Sequence, residues 1–211
     1  YLTSVHGRGL LKAGLADSAS CSDCHGAHGI VPVDSAAAPT AHAHSPEMCG
    51  DCHSLLLETW KTDSAHGLAW VAGDEAAPVC TDCHSSHDII EPGSDSNRLQ
   101  SAETCGDCHE YHLETFRDSF HGKANELGFV EGANCADCHT SHGVLPKDDP
   151  NSSVNEANLT GTCAQCHPNA TPLFAKYYSH GDMHDKESFP ILYWTFIGMT
   201  GLLVGTFAVF C

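Results

Sequence analysis

Six short motifs in the chain place two cysteines and a histidine at one fixed spacing, C-x-x-C-H. They use twelve of the 13 cysteines, and only Cys211 stands outside them. This is the spacing at which two thiols attach a haem covalently while the adjacent histidine binds its iron. Zinc ribbons and dithiol redox sites also use paired cysteines, but neither requires a histidine directly after the second one. The pattern therefore predicts six c-type haems. The predicted attachment residues are Cys21, Cys24, Cys49, Cys52, Cys80, Cys83, Cys105, Cys108, Cys135, Cys138, Cys163 and Cys166, and the predicted proximal iron ligands are His25, His53, His84, His109, His139 and His167.

A second set of histidines is suited to the opposite, distal face of each haem. The chain has 17 histidines but only three methionines, one of them in an apolar tail, so methionine cannot supply six distal ligands. Seven of the histidines outside the motifs recur in equivalent contexts, followed by glycine or, once, by aspartate. We expect most or all haems to have two histidine ligands and no open iron position. The predicted distal ligands are His6, His28, His66, His87, His121, His142 and His180.

The other histidines are assigned differently. His42 and His44 lie in a loop-like stretch, and His112 is replaced by leucine in the sister repeat, so all three are expected to be surface residues. His184 is left open as a substitute for His180. The glycine that follows most distal histidines is expected to let the backbone pass close to a porphyrin edge.

The second histidine of CADCHTSHG raises a question of geometry. Two axial ligands approach one iron from opposite faces, with their nitrogens about 4 Å apart given metal–imidazole bonds near 2 Å. His139 and His142, three residues apart on a helical turn, would project from one side. We therefore expect His142 to bind a different haem from His139. The same reasoning applies to His28 and His87.

The motifs alternate between two block types. The first type begins at Cys21, Cys80 and Cys135, and the second at Cys49, Cys105 and Cys163. One block of each type forms an internal repeat of roughly 55 to 60 residues. With about 35 residues for each haem, the chain is too short to build a conventional apolar core around every one. We predict a mainly α-helical chain with extensive loops and little sheet, in which the haems form much of the core. The predicted units are a partial repeat at 1–20, two-haem units at 21–79, 80–134 and 135–185, and a transmembrane helix at 190–211.

Both ends of the sequence contribute to the prediction. Residues 190–211 contain no charged side chain and would span about 33 Å as a helix, which matches a hydrocarbon core of about 30 Å. Residues 1–9 resemble the end of the second block type, so a further motif is expected upstream. Whether His6 serves a haem of this chain is left open. More membrane domain is expected after Cys211. The formal charge of -18 makes nucleic acid an unfavourable partner.

The alternation of C-x-x-C-H and His-Gly motifs resembles the periplasmic multihaem cytochromes c of anaerobic respiration. The run HDKESFPILYWTFIGMTGLLVGTF is similar to a narrower group from metal- and sulfur-respiring bacteria, in which a haem c domain precedes a quinol-linked membrane domain with b-type haems. The resemblance implies electron transfer from a quinol-linked membrane partner to other redox proteins, such as periplasmic cytochromes. It also implies a location on the periplasmic side of the bacterial inner membrane. The apolar span has no histidine, so it supplies no b-haem ligand. Its C-terminal position differs from the N-terminal anchor of the tetrahaem quinol oxidases of nitrate and nitrite respiration.

Two other functions are kept as alternatives. A terminal reductase would need one haem with an open iron position, which the surplus of histidines disfavours. A subunit of an extracellular cytochrome filament would use His6 on a haem of its neighbour, which the apolar span disfavours. We expect an electron-transfer protein rather than an enzyme, while the sequence leaves the oligomeric state open.

Overall fold

The computed structural model describes residues 1–210, and Cys211 at the end of the predicted span lies outside the described residues. The described chain is mainly helical, contains no strand, and joins its short helices by long loops, which confirms the prediction of a mainly α-helical chain with extensive loops and little sheet. The helices are α1 Val5–Leu11, α2 Cys21–His25, α3 Ser45–Gly50, α4 Ser54–Asp63, α5 Ala65–Val71, α6 Cys80–His84, α7 Asp95–Gly106, α8 Glu110–Arg117, α9 Phe120–Glu126, α10 Cys135–His139, α11 Leu159–Ala164 and α12 Pro190–Phe210, with single 3₁₀ turns at His42–His44 and Phe174–Lys176.

The first block type folds as a five-residue helix that coincides with the motif itself, in α2, α6 and α10. An aspartate in the third position of each helix accepts a hydrogen bond from the backbone N–H of the residue before the first cysteine. This bond satisfies a donor that the helix start would otherwise leave free, so it explains the aspartate in C-x-D-C-H. The pairs are Asp23 with Ser20 (2.7 Å), Asp82 with Val79 (2.6 Å) and Asp137 with Asn134 (2.8 Å).

The second block type places its first cysteine near the end of a longer helix, in α3, α7 and α11. The histidine of the motif then donates its backbone N–H to the carbonyl of that cysteine, four residues earlier. This i to i−4 bond continues one helical turn through the motif, so the cysteine and the histidine lie on the same face. The bonds join His53 to Cys49 (2.9 Å), His109 to Cys105 (3.0 Å) and His167 to Cys163 (2.9 Å).

Three of the predicted distal histidines lie in the first turn of α1, α5 and α9. A buried serine two residues before each of them caps the helix by accepting a backbone N–H. The cap determines where the helix begins and therefore where the imidazole projects. The sequence analysis missed these serines, although the repeated Ser-x-His-Gly was visible. The acceptor–donor pairs are Ser4 with Gly7 (3.1 Å), Ser64 with His66 (3.2 Å) and Ser119 with Gly122 (3.1 Å).

The glycine after each of these histidines is required by the chain's own backbone. A Cβ on Gly67 would overlap the carbonyl of Trp60, at the end of the preceding helix. A porphyrin edge was the contact predicted for this glycine, and the contact that the structure shows is a backbone carbonyl. The equivalent contacts are Gly7 with the carbonyl of Tyr1 and Gly122 with that of Phe116.

Replacing Gly67 by alanine is therefore expected to shift the start of α5 and with it His66. Overpacking of this kind destabilises a protein by about 1–3 kcal/mol. Gly161→Ala is the matched control, because Gly161 is also helical but has open space around its Cα, and alanine favours a helix. Denaturant unfolding of both variants checks the prediction. Equal stability of the two variants would contradict it.

The polypeptide alone covers few of its apolar side chains. Most of the large hydrophobic residues are exposed, including Leu55, Phe120, Leu127 and Phe129. A chain of this length normally buries a sizeable core, so this one leaves apolar surface for something else to cover. The buried hydrophobic residues are Ala38, Ala77, Val79, Ala102, Phe116 and Ala175.

The final helix, α12, is the one described helix that is long and apolar enough to cross a membrane. Its mean hydropathy is 1.6, and none of it is buried against the rest of the chain. Just before and at its start, Tyr178 packs on Phe189 with ring centres 5.4 Å apart, and the Lys186 ammonium lies 5.2 Å from the Trp194 ring. The helix thus extends directly from the histidine-rich part of the chain.

Candidate functional site

Each histidine of the six motifs lies opposite a second histidine from another part of the chain. The ring centres within every pair are close to 6 Å apart, and the second histidine is in each case one of the predicted distal ligands. The pairs are His25 with His87 (5.8 Å), His53 with His6 (6.2 Å), His84 with His142 (5.9 Å), His109 with His66 (6.1 Å), His139 with His180 (6.3 Å) and His167 with His121 (6.2 Å).

This separation fits a metal held between two imidazoles. Metal–imidazole bonds near 2 Å place the two nitrogens about 4 Å apart, and the ring centres lie about 6 Å apart because each is set back from its nitrogen. Among the described residues, no three or more histidine, cysteine or acidic side chains are grouped around one point as in a zinc site. Within these six pairs, two imidazoles oppose each other. This arrangement suits a planar group that supplies the other four metal ligands itself. The exposed apolar side chains are the surface that such a group would cover.

Burial favours the neutral form of seven of the paired imidazoles, which is the form that binds metals. Burial lowers the pKa of His84, and the neighbouring imidazole of His142 lowers it further. A neutral imidazole keeps the nitrogen lone pair that a metal requires. Burial is likewise the largest cause that lowers the pKa of His6, His66, His121, His139, His142 and His180.

The pairs always join different motifs. His142 lies against His84 and not against His139, three residues before it. His87 in turn lies against His25 of the preceding unit. This is the separation expected for histidines three residues apart, although binding of iron by these side chains stays a prediction. His87 and His142, which each follow a motif of the first block type, therefore face the motif of the same type in the preceding unit.

The cysteines of successive motifs lie next to one another in chain order. All twelve described cysteines are free thiols. A hydrogen bond with Cys80 raises the pKa of Cys49, and a hydrogen bond with Cys135 lowers that of Cys105 to about 7. The remaining neighbours are Cys24 with Cys49, Cys83 with Cys105, and Cys138 with Cys163. The motif cysteines therefore form one continuous row from the first motif to the sixth.

His180 lies in a turn, whereas its counterparts in the earlier repeats, His6, His66 and His121, lie in helices. Its Nδ1 is 3.1 Å from the carbonyl oxygen of His112, and since a carbonyl only accepts, Nδ1 carries the hydrogen. This leaves the Nε2 lone pair available, a common arrangement for metal-binding histidines. His184 instead packs on Phe196 with ring centres 5.3 Å apart. Of the two residues left open by the sequence, His180 is the one beside a motif histidine.

The structure places three other predicted histidines as follows. The sequence left the partner of His6 open, and in the structure His6 lies beside His53. His28 is exposed and stands in no histidine pair within residues 1–210. His42 bonds to Asp82 at 2.9 Å, an exposed contact of the kind expected for a surface residue.

An arginine in α1 adds a further polar feature that was not predicted from the sequence. Arg8 follows His6 by two residues, and its Nε is buried without a hydrogen-bond partner. Its Nη2 donates to Glu91 at 3.0 Å. A guanidinium group with an unused donor suits a carboxylate, and haem carries two.

No family model, curated protein or solved structure matches this chain.

Proposed function

We propose that the chain is a membrane-anchored c-type cytochrome with six haems, which transfers electrons between a quinol-linked membrane partner and periplasmic redox proteins. The observation that supports this most is that all six C-x-x-C-H histidines face a second histidine about 6 Å away. The exposed apolar side chains and the unused donor of Arg8 fit the same group.

The protein's own residues would do three things. The cysteine pairs would hold each haem by thioether bonds, and the paired histidines would fill both axial positions and fix the orientation. Haem iron supplies reversible one-electron exchange. Because both axial positions are taken by protein, a substrate has no place to bind the metal, which favours electron transfer over the alternative of a terminal reductase.

The row of attachment points gives the proposed order of transfer, from one motif to the next along the chain. The pair of His139 and His180 lies closest in sequence to the apolar helix, and Tyr178, two residues before His180, packs on Phe189 beside that helix. We place the membrane end of the pathway at the fifth and sixth motifs, whose cysteines are neighbours, and the far end at His25. A formal charge of -18 would attract a basic redox partner.

Maturation of the full chain in a host that attaches c-type haems tests this proposal. We expect the mass of the protein to rise by six haems and the spectrum to be low-spin, with no change when carbon monoxide is added to the reduced protein. The variant Cys135→Ala/Cys138→Ala should carry five. Fewer than six haems on the unaltered chain, or a binding site for carbon monoxide, would count against the proposal.

A further inference from the structure

The predicted distal ligand His28 faces no motif histidine within residues 1–210. His87 faces the first-type motif one unit earlier, and His142 does the same. If His28 follows the same pattern, it faces a first-type motif in a unit that precedes the unit of His25. All six motif histidines of the described chain already have another partner.

The backbone next to His28 is also without its usual contact. In the second unit, the carbonyl of Ile89 accepts the N–H of Val5 at 2.9 Å, just before a distal histidine. In the third unit, the carbonyl of Val144 accepts the N–H of Ala65 at 2.7 Å. The equivalent carbonyl in the first unit is that of Ile30, which has no hydrogen bond within residues 1–210.

The side chains that follow His28 are uncovered as well. Ile30 and Val33 are each 64% exposed, while Ile89 and Val144 are half-buried in the equivalent segments. Exposed aliphatic residues next to an exposed ligand-type histidine are typical of a contact surface. We call residues 28–33 the open end.

The opposite end of the row is closed by the chain itself. The N–H of Phe120, which corresponds to that of Val5, donates to the hydroxyl of Tyr177 at 3.1 Å. His180 fills the place beside His139 that a further first-type unit would otherwise fill. The two ends therefore differ, and only the one at His28 presents an unused ligand together with an unused carbonyl.

We infer that His28 is an axial ligand to the iron of a haem carried by a further repeat unit, which packs on the open end. This inference rests on the proposed function. The occupant must offer a C-x-x-C-H haem that lacks a distal ligand and a Ser-x-His-Gly helix start whose N–H reaches Ile30. A second copy of this chain does not fit, because its three N–H groups of this kind are already bonded to Ile89, Val144 and Tyr177.

The inference can be tested on the matured full chain with a proteolytic haem peptide that has one C-x-x-C-H motif and no second histidine. Alone, the peptide is high-spin. We expect one equivalent of the peptide to bind to each unaltered chain and to become low-spin, because His28 supplies its missing axial ligand. Since even outer-shell changes weaken metal binding by about 10- to 100-fold, His28→Ala should weaken this binding by at least about 100-fold. His42→Ala, which removes another exposed histidine, should bind as the unaltered chain does.

Chemical modification gives an independent readout. Diethyl pyrocarbonate reacts with free imidazoles, so His28 should be modified in the chain alone and protected once the haem peptide is bound. Equal conversion by the His28→Ala variant, or no conversion by the unaltered chain, would overturn the inference. A chain that carries six haems but does not bind the peptide would refute only the role of His28, whereas a chain without haem would refute the proposed function itself.

Discussion

Replacing His66 by alanine is expected to open one haem to external ligands, and to do so at the fourth motif. His66 lies 6.1 Å from His109, although it belongs to the same repeat as His53. One of six haems should become high-spin, bind carbon monoxide when reduced, and return to low-spin when imidazole is added. Absorbance and electron paramagnetic resonance spectra of the matured full chain measure each of these changes.

Removal of individual haems identifies which site has opened. Adding Cys105→Ala and Cys108→Ala to the His66 variant should abolish the high-spin signal, because the affected haem is no longer attached. Adding Cys49→Ala and Cys52→Ala should leave that signal in place. His42→Ala serves as the control for a histidine outside the pairs. A high-spin signal that survives loss of the fourth motif would show that His66 serves another haem.

Withholding haem attachment is expected to leave most of the chain unfolded. Its buried hydrophobic residues include four alanines, one valine and one phenylalanine, and fixing the backbone alone costs about 1–2 kcal/mol per residue. Six haems would supply the missing apolar contacts, as metal binding supplies folding free energy in other small cofactor-dependent domains. Expressed without the attachment machinery and held in detergent, the chain should lose nearly all helical signal except that of α12.

Limited proteolysis separates this outcome from a loosely folded chain. In the unattached form, cleavage should occur throughout residues 1–185, and the segment protected by the micelle should survive. The matured form should resist the same protease over the same region. A protease-resistant fragment from residues 1–185 of the unattached chain would show that the polypeptide folds without its cofactors.

Much of the candidate site could be predicted because each C-x-x-C-H motif is contiguous in the sequence. The cysteine pairs and their histidines are local patterns, and so is the apolar run of α12. The distal candidates followed from repetition, since His-Gly recurs in equivalent places. Simple geometry was enough to expect that His139 and His142 could not share an iron.

The remaining details depend on contacts between distant parts of the chain. His180 is oriented by the carbonyl of His112, which a sequence cannot place beside it. Which of His6 and His28 has a partner depends on the register between repeats, which the sequence does not show. The need for glycine at Gly67 likewise comes from the carbonyl of Trp60, a close approach that no composition rule reveals.

The pairing of histidines also sets an order of arrival during synthesis, which proceeds from the N-terminus. Motifs of the second type have their partner earlier in the chain, as His53 has His6. Motifs of the first type have theirs tens of residues later, as His25 has His87. Under the proposed function, a nascent chain would complete the second kind as soon as the motif emerges, whereas the first kind would have one histidine ligand until its later partner has been made.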